Sequence, residues 1–92
     1  MTREEVKKLV DMHNNKIDNF TNNILPMLLE KDGVAVTIKD NGEKFIPLNG
    51  WFKANSLLES MHFYKDAKEI LDLVRPLGFD VKINMQSNKL IY

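Results

Sequence analysis

Cysteine is absent from the chain. Disulfide staples, thiolate metal sites and cysteine nucleophiles are therefore excluded together, and a reducing compartment is the natural setting. Long apolar runs are missing too. The longest is "ILPMLL" at 24–29, far short of the ~20 residues that cross a bilayer. The opening "MTREEVKKLV" mixes both charge signs and has no apolar h-region, so it does not read as a secretory signal. The expected location is cytoplasmic.

An excess of one charge is also lacking. Residues 1–46 carry 7 Lys+Arg against 8 Asp+Glu, and residues 47–92 carry 6 against 5. Neither half draws phosphates by bulk charge. Glycines number four and are scattered. They form no Walker A loop, no G-x-G-x-x-G and no G-x-S-x-G elbow. With 43% apolar and 28% charged residues over 92 positions, the chain has the balance of one small globular domain. Lysines outnumber arginines 11 to 2 and asparagines number 10. These residues have A/T-rich codons, which points to a low-GC bacterium, its phage or a mobile element as the source.

What is present is periodicity. Thr2 and Glu5 have the capping-box spacing that opens a helix. Val6, Leu9, Val10, Ile17, Phe20, Ile24, Met27 and Leu28 follow in steps of three and four, with His13 in the same stripe. Pro26 is expected to kink this helix or to start a new short one, the in-phase stripe favouring the kink, and Gly33 to end it. Val34, Val36 and Ile38 then alternate as a strand. Asn41-Gly42 suits a two-residue type I′ turn, which would set Ile38 against Phe45 and Lys39 against Lys44. "LNGWFKAN" at 48–55 reads as a linker. Ser56–Glu59 and Asp66–Glu69 are two further capping-box spacings. The helical pattern over 56–75 fits either one bent helix or two short ones, ended by Pro76 and Gly78. Val81, Ile83 and Met85 alternate as a third strand, "QSNK" reads as a turn, and "LIY" as the last strand.

"GVAVTIKDNGEKFI" at 33–46 is echoed by "GFDVKINMQSNKLI" at 78–91. The expected fold is α+β, αββ-α-ββ in order: helix, hairpin, one or two helices, hairpin. Its four strands form one antiparallel sheet with helices packed on one face. The whole chain, 1–92, is one domain, in which units 1–48 and 54–92 echo one another across the 48–55 joint.

Few residues suggest chemistry. His13 lies on an apolar stripe, which suits a core-edge histidine better than a general base. Glu59, His62 and Asp66 would share a face of a continuous helix, as in half of a di-iron carboxylate site. The other half is missing from the chain, so no metal and no cofactor is expected unless a homodimer supplies it. "DNGEK" lacks the offsets of an EF-hand loop.

The lone tryptophan and its neighbour stand out: Trp51 and Phe52, with Lys53 beside them. When exposed, aromatics of this kind anchor partners. The competing reading is that Trp51 closes one end of the core beneath the sheet and Phe52, pointing another way, is the exposed one. A terminal strand over Leu90–Tyr92 offers a second route, edge pairing with a partner strand. The expected function is non-enzymatic: a small module that binds another protein, as phage or mobile-element accessory proteins do when they modulate a host enzyme. An alternative is nucleic-acid binding through a sheet face carrying Ala35, Thr37, Lys39, Lys44, Ile46, Lys82 and Asn84, although that face has no aromatic pair to stack bases. A second alternative is a small enzyme centred on His13 or on Glu59 and His62.

Overall fold

The computed structural model describes all 92 residues. In chain order they form α1 (Arg3–Asn19), a π-helical turn (Phe20–Ile24), α2 (Leu25–Lys31), β1 (Thr37–Ile38) and β2 (Lys44–Phe45). A 3-10 turn (Leu48–Gly50) leads into α3 (Trp51–Ser60). Then come α4 (Phe63–Val74), a 3-10 turn (Arg75–Leu77), β3 (Lys82–Ile83) and β4 (Leu90–Ile91). The chain is mostly helical. The expected four-stranded sheet does not form: β1 pairs only with β2, and β3 only with β4, both antiparallel. Each ladder is two residues long, too short to bury a face, so the helices build the cores.

The chain divides into two compact units, Met1–Ile17 with His62–Tyr92, and Asp18–Met61. In the first, α1 opens with the capping box. The Glu5 N–H donates to the Thr2 hydroxyl at 3.2 Å and the Thr2 N–H donates to the Glu5 carboxylate at 3.0 Å. Those bonds hold the exposed Glu5 carboxyl below its ordinary pKa, the backbone N–H of Thr2 being the larger cause and its hydroxyl the next. The stripe then buries Val6 and Val10 against Ala67, Leu71 and Val74 of α4 and against Val81 and Leu90 of the hairpin. Arg3 lies over the Tyr92 ring at 5.7 Å, Tyr92 meets Phe79 edge-on at 6.3 Å, and the Phe79 N–H bonds Val74. The start of α1 is thereby tied to the end of α4, and the two helices run antiparallel.

The hairpin of this unit is held to α1 by side chains. The Asn14 amide donates to the Leu90 carbonyl at 2.9 Å and accepts from the Leu90 N–H at 2.8 Å. It pairs with Leu90 as a neighbouring strand would. Next to it, His13 Nε2 bonds the Asn88 carbonyl at 2.8 Å. A carbonyl only accepts, so that nitrogen carries the proton.

In the second unit, the helix is interrupted ahead of Pro26, which stands in the first turn of the new short helix α2. The turn before it widens to π geometry, in which the Leu25 N–H reaches back to the Phe20 carbonyl. Proline cannot donate and its ring crowds the carbonyl four residues earlier. Widening the turn accommodates both, and Pro26 is buried at the start of α2. Gly33 ends α2 with φ 88° in a Schellman pair: Val34 N–H to Leu29 at 2.9 Å and Gly33 N–H to Glu30 at 3.0 Å. Gly78 ends the second helical run the same way, with Phe79 N–H to Val74 at 3.3 Å and Gly78 N–H to Arg75 at 3.0 Å. The sequence echo thus records a shared helix stop. A bond across two residues follows each stop, Val36 to Val34 and Val81 to Phe79.

The hairpins themselves differ. In the first, Gly42 N–H bonds Lys39, and Lys39 N–H bonds Glu43 at 2.8 Å. The loop therefore has three residues, Asp40 to Gly42, with Gly42 at φ 83°. The expected two-residue type I′ turn is replaced by a type I turn with a left-handed glycine. Register moves by one: Ile38 faces Lys44 and Thr37 faces Phe45. A one-residue slip exchanges the faces of a strand, and Ile38 is 69% exposed while Ile46 turns inward. The slip also sets Lys39 opposite Glu43 instead of Lys44, which removes a like-charge pair. In the second hairpin Asn84 N–H bonds Lys89, so the loop has four residues, and the Asn84 side chain caps Gln86 and Ser87.

Candidate functional site

"LNGWFKAN" is a helix start, not a linker. Pro47 stands extended before it (φ −67°, ψ 158°), and the Gly50 N–H closes the first turn on the Pro47 carbonyl at 2.8 Å. Gly50 is helical, with φ −81°, so Asn-Gly does not act as a turn here. It is glycine for a steric reason: a Cβ at position 50 would stand 2.7 Å from Val34 and 3.1 Å from Ile46. That close approach seats the helix on the inward side of the hairpin. The expected start at Ser56 falls inside α3, and the one at Asp66 inside α4.

This seating decides where five residues of the joint point. Ala54 is fully buried. Leu48 and Phe52, four apart and so on the same side of the helical run, are each 85% exposed. Trp51 is partly exposed. It lines a groove of about 630 Å³ together with Phe45, Ile46 and Pro26, and with Asn22 and Asn23 of the π turn on its rim. Lys53 makes an ion pair with Asp32 at 3.4 Å, both side chains about half exposed. The sequence drew attention to Trp51, Phe52 and Lys53 but passed over Leu48. Once the segment is read as helical, the four-residue spacing from Leu48 to Phe52 is the signal that finds it.

The other expected site residues lie in the first unit. Leu90 is buried, and its N–H and C=O are both engaged by Asn14. The edge of β4 has no free backbone pair at that residue. Tyr92 is held by Arg3 and Phe79 as described.

The alternative sites change more. The lysine-bearing sheet face required one sheet. Its residues are instead split between two separate hairpins, Ile46 is buried, and Lys39 lies over the Phe45 ring at 5.4 Å. The Glu59–His62–Asp66 alignment required a continuous helix. The helix breaks at Met61–His62, where His62 takes φ 56° and its carbonyl accepts the first bond of α4, from Asp66 N–H at 3.0 Å. Glu59 belongs to α3 and Asp66 to α4. His13 is buried and held at Asn88. It lines a groove of about 350 Å³ between α1 and α4, and no serine, threonine or tyrosine shares that lining.

Compared with known protein families, curated proteins and solved structures, the chain matches none.

Proposed function

We propose that the protein is a small non-enzymatic binding module that docks another protein through the helical face presenting Leu48 and Phe52. Trp51 extends the contact and Lys53 stands at its rim. The observation that supports this reading is the pair of large apolar side chains held one helical turn apart on a helix seated by Gly50, with nothing of their own unit over them. Fully burying a Leu and a Phe contributes roughly 3–6 kcal/mol together, the scale of an interface anchor. The partner would offer an apolar pocket deep enough for Phe52. The lysine- and asparagine-rich composition fits an AT-rich source such as a phage or mobile element, and a host enzyme is the partner we propose.

The test is capture from extracts of source cells by the tagged wild type and by the Leu48→Ser, Phe52→Ser double variant. Far-UV circular dichroism serves as the fold control. A protein retained by the wild type and lost by the variant is expected. Identical capture by two equally folded proteins would refute this face.

A further inference from the structure

The groove between α1 and α4 has a polarity that the monomer leaves unused. Along α1 run Leu9, Met12 and then Lys16. Along α4 run Asp66, Glu69 and then Leu73. Met12 is 60% exposed and Leu73 50%. Because the helices are antiparallel, Lys16 lies toward the acidic end of α4 and Leu9 toward Leu73. Lys16 and Glu69 are exposed, and none of Lys16, Asp66 and Glu69 forms an ion pair within the chain.

Such a surface is complementary to itself. Two copies facing each other about a two-fold axis that runs along the groove would lay the α1 of each on the α4 of the other. Leu9 and Met12 then meet the apolar end of the partner's α4, and Lys16 meets the partner's Asp66 and the partner's Glu69. The contact occurs twice, as in every isologous interface. It is a four-helix arrangement, which buries apolar side chains between helices that are each exposed on one side. We propose that the α1–α4 face is a homodimer interface, selected by the Lys16-to-Asp66/Glu69 charge match around an apolar strip. This proposal does not rest on the Leu48–Phe52 reading, because the two surfaces belong to different units.

Charge exchange tests it. Lys16→Glu makes all three positions acidic, and the Asp66→Lys, Glu69→Lys double variant makes them all basic. Sedimentation equilibrium over a range of concentrations should show a dimer for the wild type, weakened by added salt. Each variant alone should dimerise at least roughly tenfold more weakly, since two attractions become two repulsions. An equimolar mixture of the two should restore association as a heterodimer. Melting curves of each variant control for folding. Leu73→Asp should also dissociate the dimer, and Leu48→Ser, Phe52→Ser should leave it intact. A monomeric wild type, unchanged association of the charge variants, failure of the mixture to associate, or loss of the dimer in the Leu48/Phe52 variant would each overturn the proposal.

Discussion

Replacing Asn14 by alanine should damage the fold more than any other polar substitution on α1. One side-chain amide satisfies both backbone groups of Leu90 at 2.8 and 2.9 Å, and Leu90 is only 3% exposed. Alanine leaves a buried N–H and a buried C=O without partners. Each unsatisfied group costs about 1–3 kcal/mol, so a loss of about 2–6 kcal/mol is expected. A 92-residue domain has a total stability of roughly 5–14 kcal/mol, so this is a large fraction. For a chain of this size it corresponds to a fall in Tm of roughly 8–48 °C. Urea denaturation followed by circular dichroism at 222 nm measures it, with Asn15→Ala as the control because Asn15 is exposed on the same helix. Amide exchange at Leu90 should accelerate in the Asn14 variant alone. If Asn14→Ala unfolds within about 0.5 kcal/mol of Asn15→Ala, the span allowed for ordinary surface changes, the side chain is not acting as a surrogate strand and the reasoning fails.

Other perturbations follow from the same contacts. Gly50→Ala should destabilise by about 1–3 kcal/mol through overpacking against Val34 and Ile46, which thermal melts will show. Leu71→Ala, at a position 1% exposed in the first core, should cost about 2–5 kcal/mol in urea titrations. Glu5 has its folded pKa depressed below the ordinary glutamate value by the bonds from Thr2. Its stabilising effect is therefore present above that value and is lost as pH falls through the lower, folded one. The difference in Tm between wild type and Glu5→Gln should be visible at neutral pH and vanish on acidification below the carboxylate range.

How much of this was legible beforehand depends on the range of the interaction involved. The capping box of Thr2 and Glu5, the stripe from Val6 to Ile17, the stripe from Ala67 to Val74 and the glycine stops at 33 and 78 all depend on residues within about one turn. Each appears where the spacing places it. The two hairpins were legible as antiparallel pairs, but their union into one sheet was not a local property and does not occur. The candidate surface was half legible. Its aromatics stood out as a pair, yet their disposition depends on the helix beginning at Leu48, which "LNG" disguises as a turn.

By itself, the sequence determined the start of the first helix at the Thr2–Glu5 cap, the glycine stops at 33 and 78, the existence of two hairpins and the absence of thiol chemistry, because these follow from side chains and backbone a few residues apart. Tertiary structure decided the rest. The three-residue loop and its register place Ile38 outward and Ile46 inward because Gly50 and Val34 need Ile46 beneath the helix. The edge of β4 is closed because Asn14, 76 positions away, reaches Leu90. The helix over 51–74 divides at His62, where the chain passes from one compact unit to the other. Packing between residues distant in sequence settled the register and the closed edge, and no pattern within a single segment records either.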